Sequence, residues 1–378
     1  MPVDILHVHS TFALGGKEAR AVQLMNAFGT AARHTIIAAT GETSARAALA
    51  PGIEAHFPAA PPLTGWPTPW RLAAIARAMR GFDLVLTYNW GAFDAVMARR
   101  LFGGSMRLPP LVHHEDGFNA DEAEALKPRR NLYRRRGLAA AERLVVPSRR
   151  LETIARTVWR QPEARIVRIP NGIAVSGYSG APDPIPGVER REGEVLVGTV
   201  AGLRPVKNLP RLVRAFAAMT SPARLVIVGT GPESERIVDE ARRLGVADRV
   251  HLPGFLPDPA RWIGGFDIFA LSSDSEQFPI SLLEAMAAGL PAVATAVGDV
   301  AQMVSPDNAP LIVSPDDEAA FAAGLETLAA RPDLRRAIGR ANRQLAESRY
   351  DEKEMIARYA RLYGEAIGRP DAFVSASA

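Results

Sequence analysis

The sequence predicts an α/β protein of two domains, each built on a parallel sheet covered by helices. Short runs of β-branched and aliphatic residues recur along the chain, and amphipathic segments with helical spacing separate most of them. Such repeated βα units are typical of parallel sheets. A length of 378 residues is also long for one domain. A stretch rich in Gly, Pro, Ser and Asp, residues 174–192, is predicted to link domains over 1–173 and 193–350.

The buried runs place the predicted strands. In the first domain they are Val3–His9, His34–Ala39, Ile53–Phe57, Asp83–Asn89, Leu111–His114, Arg143–Pro147 and Arg165–Ile169. In the second they include Leu196–Val200, a strand and glycine turn over 225–231, Phe266–Leu271 and Pro291–Thr295. Predicted helices in the later part of the chain are 316–328, 333–347 and 351–367. We also expect a mobile acidic loop over 119–127 and a frayed end over 370–378.

Composition excludes several classes of protein. The chain has 47% hydrophobic and 23% charged residues, as soluble globular proteins do, and it contains no cysteine. Disulfides, thiolate metal sites and cysteine nucleophiles are therefore excluded. The N-terminus lacks the basic region of a signal peptide, and no apolar run is long enough to cross a membrane. We expect a cytoplasmic protein.

Charge is distributed unevenly within the net +4. Residues 1–180 hold 23 Lys and Arg against 14 Asp and Glu, whereas residues 181–378 hold 22 against 27. The basic segment, residues 127–168, has 13 basic and three acidic side chains. It predicts peripheral contact with an anionic membrane surface at the inner face. The alternative is a solvated face, because 41 of the 45 basic residues are arginine. Nucleic acid is disfavoured as a partner, because no aromatic residues are interleaved with these basic residues in a binding pattern.

The stretch from Ser272 to Pro291, SSDSEQFPISLLEAMAAGLP, lies between two predicted strands. Pro279 suits the first turn of a helix, and Gly289 suits its end. Glu276 is thus expected in the loop at a strand's carboxyl end, and Glu284 about one turn inside the helix. Ligands bind at this edge of an open α/β sheet.

Two carboxylates at such an edge suit a sugar nucleotide. Glu276 would accept hydrogen bonds from sugar hydroxyls, and Glu284 from both ribose hydroxyls. The free N–H groups near 280–283 would face a diphosphate. The alternative is an acid that complements the helix dipole beside an ordinary solvated glutamate.

The loop AGLRPVKN follows the predicted strand Leu196–Val200 and carries Arg204 and Lys207. Only four lysines occur in the chain, which makes one here noteworthy. A departing nucleoside diphosphate carries negative charge, and the sequence has no Asp-x-Asp to hold a metal. A guanidinium fork and an ammonium would neutralise that charge instead. The alternative is two exposed loop cations.

The first domain carries three further features of interest. A Gly15-Gly16 turn joins the first strand to an amphipathic helix, which lets backbone approach a ligand closely. His7 and His9 share a strand face, but no carboxylate completes a metal site, so we expect buried or cleft-lining histidines. The segment LVHHEDG, residues 111–117, delivers titratable groups to the carboxyl edge of the first sheet.

The Glu-x7-Glu spacing followed by Ala-x-Ala-x-Gly-x-Pro resembles the retaining glycosyltransferases of the GT-B fold, family 4. Most of the chain follows the same plan. The resemblance implies two Rossmann-like domains facing a cleft, with the acceptor bound by the first and a nucleotide diphosphate sugar by the second. It also implies that the terminal helix, 351–367, crosses back over the first domain.

The resemblance assigns roles to residues. It implies a catalytic set of Glu276, Arg204, Lys207 and His113, with His114 as the alternate to His113, which would stabilise positive charge at the anomeric carbon. It implies donor binding by Glu284, Gly16, Gly202, Gly254, Phe255, Gln277, Phe278, Ser281, Leu282 and Leu283. One departure is Gln277, where the family usually has glycine, and this leaves the sugar's identity open.

The expected activity is therefore metal-independent, retaining transfer of a hexose-type sugar to a hydroxyl of a glycan or lipid-linked acceptor. It would serve cell-surface polysaccharide or glycolipid synthesis and need no cofactor beyond the nucleotide sugar. The alternatives are a nucleotide-sugar epimerase of the same fold and a non-catalytic sugar-nucleotide binding subunit. A dehydrogenase is disfavoured, since no Gly-x-Gly-x-x-Gly fingerprint is present.

Overall fold

The computed structural model describes residues 1–118, 122 and 125–373 of the chain. These residues form two compact units. The first unit consists of Met1–Asn171 and the C-terminal segment that begins at Glu354, and the second is Gly172–Lys353.

A parallel sheet of seven strands forms the centre of the first unit. Its strands are β1 (Val3–His9), β2 (Ala32–Ala38), β3 (Ala55–His56), β4 (Leu84–Tyr88), β5 (Leu111–His114), β6 (Arg143–Val146) and β7 (Ile166–Arg168). They pair in the order β3-β2-β1-β4-β5-β6-β7. The strand order reverses between β1 and β4, and ligands bind outside the carboxyl ends of strands at such a point.

Helices cover both faces of this sheet. The first five are α1 (Gly16–Phe28), α2 (Pro69–Ala78), α3 (Phe93–Phe102), α4 (Pro128–Gly137) and α5 (Arg149–Thr157). Buried side chains of α2 and α3 pack on one face, and those of α1 pack on the other.

The second unit repeats this construction with six strands. They are β8 (Val195–Val200), β9 (Ala223–Val228), β10 (Val250–Gly254), β11 (Ile268–Leu271), β12 (Ala292–Thr295) and β13 (Ile312–Val313). Their order is β10-β9-β8-β11-β12-β13, all parallel. The helices are α6 (Leu209–Ala217), α7 (Ser234–Arg243), α8 (Ile280–Ala287), α9 (Val300–Met303), α10 (Glu318–Ala330) and α11 (Pro332–Arg349).

The last helix, α12 (Glu352–Ala366), returns to the first unit. Its Met355, Tyr359 and Tyr363 are buried in the same cluster as Val3 and Ile5 of β1. The expected return of the terminal helix to the first domain is therefore present.

The structure confirms the predicted fold class of two Rossmann-like units with parallel sheets. The bounds of β1 and β5 are those predicted, and β3 is shorter than the run from Ile53 to Phe57. The strand β10 and the two-residue strand β13 were not predicted. The loop predicted over 119–127 and the frayed end predicted over 370–378 lie partly outside the described residues. None of the helices in the described parts of the chain combines the length and apolar character that a membrane crossing needs.

Candidate active site

The loops at the carboxyl edge of the second sheet approach one another closely. The Ala201 N–H donates to the Val228 carbonyl at 3.0 Å, and the Leu203 N–H donates to that of Thr230 at 2.9 Å. A Cβ on Gly229 would lie 1.9 Å from the Ala201 oxygen. Its φ of 139° also lies where side chains are disfavoured. Glycine after β9 therefore lets the loop that carries Arg204 pack against its neighbour.

Lys207 and Glu276 meet at this edge. The Lys207 Nζ lies 2.5 Å from Oε1 of Glu276, and the Ser273 hydroxyl donates to the same oxygen at 2.7 Å. The two paired side chains keep 16% and 11% of their surface exposed. Both contacts use Oε1, and Oε2 has no recorded partner among the residues that the structure describes.

The backbone around Lys207 is fixed by the loop after β11. The Asp274 N–H donates to the Val206 carbonyl at 2.9 Å, and the Ser272 hydroxyl donates to the Lys207 carbonyl at 3.0 Å. Asn208 takes a left-handed φ of 41°, and its amide donates to both oxygens of Asp274 at 3.1 Å. A strained residue held by its neighbours in this way is common where a side chain must be aimed.

Arg204 lies at the start of the short turn Pro205–Lys207 and is exposed. Within the described parts of the chain, its guanidinium has no recorded hydrogen bond or ion pair. Gly202 lies beside it, since a Cβ there would sit 3.6 Å from the Arg204 Nε. An exposed guanidinium and a partly buried ammonium on one short turn suit an anion.

The helix α8 begins at Ile280, so the N–H groups of Ser281, Leu282 and Leu283 belong to its first turn. Leu282 and Leu283 are also core residues through their side chains. Glu284 follows at the fifth position of the helix, as predicted from the proline and glycine signals.

Glu284 is the most perturbed carboxyl group at this edge. Burial raises the pKa of Glu284 to about 7. A hydrogen bond from the Tyr178 hydroxyl lowers this pKa, but its effect is smaller than that of burial. Tyr178 lies in the turn Val175–Ser179, and burial followed by the Glu284 charge raises its own pKa. Sequence reasoning treated this turn as linker and missed the tyrosine.

Gln277 and Phe278 are both buried and precede α8. The Gln277 carbonyl accepts the N–H of Asp299 at 3.2 Å. A Cβ on Gly298 would lie 2.3 Å from the Glu276 carbonyl oxygen, and Gly298 has φ of 57°. The loop after β12 thus closes on the loop of Glu276 through a glycine.

Gly254 and Phe255 follow β10. Gly254 has φ of 84°, and its carbonyl accepts the Gly229 N–H at 2.8 Å. Phe255 is 64% exposed, which is unusual for so large an apolar ring and leaves it accessible to a planar ligand such as a nucleobase.

The histidines of LVHHEDG are buried on opposite faces of the first sheet. The Nδ1 of His113 lies 2.8 Å from the Thr87 hydroxyl, and the ring edge of His113 packs on Phe93 of α3. The Nε2 of His114 lies 2.8 Å from the Tyr363 hydroxyl of α12. Burial lowers the pKa of His114 to about 3, and it is neutral at physiological pH. His113 has no exposed surface in this structure, and its catalytic role stays a prediction.

The first unit brings together charged groups that sequence reasoning missed. Arg20 of α1 forms a two-pronged ion pair with Asp116, and it donates to the Asn171 side chain at 3.2 Å. Lys17 pairs with Glu18 in the first turn of the same helix, next to Gly16. The sequence indicated only that Lys17 and Arg20 belong to a helix. No local sequence pattern indicates that Arg20 pairs with Asp116.

His7 and His9 are both buried, which is one of the two environments expected for them. The ring of His7 lies within hydrogen-bonding distance of Tyr88 and His34, at 3.1 Å and 3.0 Å. His9 stacks on Tyr88 with ring centroids 4.1 Å apart. The described residues contain no group of three potential metal ligands.

Two family models match this chain and together cover most of it. The model described as Glycosyltransferase Family 4 matches residues 14–176. The model described as Glycosyl transferases group 1 matches residues 185–345. The chain belongs to the family 4 glycosyltransferases. The resemblance drawn from Glu276, Glu284 and their surroundings is confirmed.

Curated relatives of this glycosyltransferase are identical to it at about a quarter of the positions in the region that aligns. A D-inositol 3-phosphate glycosyltransferase of Kribbella flavida is 27% identical over 79% of this chain and 77% of its own length. The N-acetyl-alpha-D-glucosaminyl L-malate synthase of Bacillus anthracis is 27% identical, but the match spans 47% of each chain. The matched region is thus about half the length of several such relatives.

Solved structures share the fold of this glycosyltransferase at lower identity. The Anabaena HepE structure with UDP and glucose has a TM-score of 0.78 and 19% identity, and it covers 96% of this chain and all of its own. The sucrose-phosphate synthase of Thermosynechococcus elongatus has a TM-score of 0.78 and 20% identity over 97% of this chain and 99% of its own. These likenesses concern the fold.

Proposed function

We propose that this glycosyltransferase moves a hexose-type sugar from a nucleotide diphosphate sugar to a hydroxyl of a glycan or lipid-linked acceptor. Transfer would retain the anomeric configuration and need no metal. The observation that carries the proposal is the contact between Lys207 and Glu276. It joins a cation suited to a leaving phosphate and a carboxylate suited to sugar hydroxyls at one point of the sheet edge.

The donor would be held by the second unit. Its diphosphate would bind the first turn of α8 together with Arg204 and Lys207, because backbone N–H groups at a helix start attract anions. Glu284 would accept the two ribose hydroxyls, and Phe255 would lie against the base. The HepE structure, which contains UDP and glucose, supports a nucleotide sugar as donor.

Breaking the glycosyl bond leaves negative charge on the nucleoside diphosphate. The Lys207 ammonium and the Arg204 guanidinium would stabilise that charge in the transition state, as a metal does in other transferases. Glu276 is tied to Lys207 and Ser273 through Oε1, which suits it to positioning the sugar rather than to attacking it. The acceptor oxygen would form the new bond on the face from which the phosphate leaves, and its proton would pass to the departing phosphate oxygen.

The acceptor class is supported by the names of relatives. One of them, from Campylobacter jejuni, is a transferase whose acceptor is a sugar on diphospho-undecaprenol. Another, from Komagataeibacter xylinus, is a GDP-mannose:cellobiosyl-diphosphopolyprenol alpha-mannosyltransferase. We extend this acceptor class, and peripheral contact of the basic segment with anionic lipid at the cytoplasmic face, to the present chain as part of the proposal.

A screen of donors and acceptors tests the reaction. Thermal shift across UDP-, GDP- and ADP-sugars identifies the donor, since a ligand that binds the folded state raises its melting temperature. Release of nucleoside diphosphate is then measured with and without decyl glycosides as acceptor mimics. Conversion of the donor to a new nucleotide sugar without acceptor would indicate an epimerase, and binding without turnover a non-catalytic subunit.

Substitution of the two cations tests the mechanism. Arg204→Ala and Lys207→Ala should each lower kcat by about 10²–10³-fold and change donor Kd much less, because their charge matters most in the transition state. Arg236→Ala removes a 68% exposed arginine of the same unit and serves as the control. Unchanged turnover in both variants, or activity that is strictly dependent on Mg²⁺ or Mn²⁺, would contradict the leaving-group role.

A further inference from the structure

Asp116 is the one titratable side chain of the segment His113–Asp116 that keeps appreciable exposure at the sheet edge. His113 and His114 have at most 1% of their surface exposed, and each is engaged on one face of the sheet. Glu115 is 1% exposed and lies 3.3 Å from Arg134. The Asp116 side chain, beyond the end of β5, is 14% exposed. It is therefore the group of this segment that a ligand reaches first.

Two residues hold Asp116 directly, and a third supports one of them. Its backbone N–H donates to the side chain of Asn89 at 2.7 Å, and Asn89, just after β4, holds a left-handed φ of 55°. Arg20 of α1 contacts both carboxylate oxygens, with Nη2 to Oδ2 at 2.9 Å. The same guanidinium reaches Asn171, beyond β7. Left-handed backbone outside glycine is disfavoured and persists where its surroundings over-determine it, often at functional sites.

The electrostatics keep Asp116 an acceptor of hydrogen bonds. Burial works to raise the pKa of Asp116, but the Arg20 guanidinium outweighs it and holds the pKa below its ordinary value. An ionised carboxylate has about four lone-pair directions. The two contacts with Arg20 leave the others for hydroxyl groups.

Polar groups without a partner adjoin this pair. The Nε of Arg20, a residue only 3% exposed, has no hydrogen-bond acceptor among the described residues. Both ring nitrogens of the fully buried His9 also lack a partner there. Lys17 and Arg20 contribute to the lowered pKa of His9, after burial itself, so these groups are neighbours. Unsatisfied buried polar atoms are rare in folded proteins, and each one needs a physical account such as a water or a ligand.

The charges of this cluster are balanced within it. Arg20 is paired with Asp116, and Lys17 is paired with Glu18. An anionic ligand would have to compete with these internal carboxylates. Hydroxyl groups, which donate to a carboxylate and accept from a guanidinium, fit the cluster without breaking either pair.

We propose that the first unit binds its acceptor at the Arg20–Asp116 pair, with Asp116 accepting hydrogen bonds from hydroxyl groups of an uncharged sugar or polyol. This inference rests on the proposed glycosyl transfer and adds the substrate class. It separates this chain from relatives whose names contain the anionic compounds L-malate and D-inositol 3-phosphate.

Acceptor preference is the first arm of the test. Wild-type protein is assayed with its donor and with decyl glycosides, L-malate or D-inositol 3-phosphate as acceptor. Transfer to a decyl glycoside and at most a few per cent of that rate to the anionic compounds supports the proposal. Preference for either anion overturns it, as does donor binding with no transfer to any glycoside. A protein that binds no nucleotide sugar would instead refute the proposed function.

Substitutions form the second arm. Asp116→Asn should lower kcat/KM for the glycoside by about 10- to 100-fold, as expected for a lost hydrogen bond to a charged group, while donor Kd changes less than about twofold. The double variant Arg20→Gln/Asp116→Asn replaces the ion pair by a neutral one. It should regain thermal stability but not transfer. Asp4→Asn, which removes an exposed carboxylate paired with Arg33 near the start of β1, is the matched control.

A purely structural pair gives a different result. Activity would then return with stability in the double variant, and donor Kd would weaken in step with transfer in Asp116→Asn. Either outcome overturns the assignment of Asp116 to the acceptor.

Discussion

Donor affinity should fall about tenfold when the pH is lowered from about 8 to about 6, because Glu284 takes up a proton in that range. Burial raises its pKa to about 7. The carboxyl group is then about nine-tenths ionised at the higher pH and about one-tenth at the lower. If the ionised form binds the ribose hydroxyls, the affinity follows this fraction.

The same shift makes Glu284 a cost to the stability of the free protein. Its pKa in the folded state, about 7, exceeds the ordinary 4.5. The folded state therefore binds the proton more tightly, and stability is full below about pH 4.5 and declines as the pH rises to about 7. The total is on the order of 3 kcal/mol, since each pKa unit corresponds to about 1.4 kcal/mol. Glu284→Gln should accordingly stabilise the free protein at about pH 8, and a bound donor offsets the cost in wild type.

Calorimetric titration with a nucleotide sugar measures the affinity. Its phosphate groups are diesters and lack the second ionisation near pH 6 of a terminal phosphate, so the ligand itself does not titrate. Glu284→Gln should bind the donor more weakly at about pH 8 and show no pH dependence. Tyr178→Phe should move the transition to higher pH, because the lost hydrogen bond held the pKa of Glu284 down.

Two results would refute the reasoning. A wild-type Kd that is flat over this pH range would show that Glu284 does not hold the ribose in ionised form. A slope that persists in Glu284→Gln would assign the titration to another group.

Three further predictions concern the backbone, the core and the surface. Gly298→Ala should lower the free energy of unfolding by more than the roughly 1–2 kcal/mol that a left-handed alanine costs. It should also lower turnover, since its Cβ would lie 2.3 Å from the Glu276 carbonyl oxygen. Gly289 has φ of 75°, but a Cβ there would have no atom nearer than 3.9 Å, so Gly289→Ala should lower stability without lowering turnover. An equal loss of turnover in the two variants would contradict this. Arg134→Met takes one ion-pair partner from each of the buried Glu115 and Glu122, although Glu122 keeps Arg130, and should lower the urea-unfolding free energy by about 3 kcal/mol. The exposed Arg336→Ala should cost about 0.5 kcal/mol or less. The basic segment should give salt-sensitive sedimentation with anionic vesicles, and equal sedimentation with neutral vesicles would remove that surface from the proposal.

The stretch around Glu276 shows what local sequence signals predict well. Pro279 and Gly289 mark the two ends of a helix, and α8 runs between them with Glu284 one turn inside. These signals act through backbone conformation, which each residue decides largely by itself. The same holds for the buried strands, whose apolar runs predicted the strands of the first sheet and all of the second except β10 and β13.

Contacts between distant residues could not be predicted in this way. Tyr178 is in a stretch interpreted as linker, yet its hydroxyl reaches Glu284. The alternation along β5 requires His113 and His114 to point to opposite faces. What covers each of these faces depends on α3 and α12, which are distant in the chain. The positions of side chains relative to the site therefore required the three-dimensional structure.

Gln277 shows how a departure from the family pattern is accommodated. The family usually has glycine at this position, and the side chain of Gln277 therefore left the sugar's identity open. Gln277 is not among the residues with positive φ, so its backbone conformation does not require glycine. The close approach falls instead at Gly298, whose Cα faces the carbonyl oxygens of Glu276 and Gln277. The glycine that this site needs is supplied by the loop after β12, and the loop of Glu276 keeps a buried amide that glycine would lack.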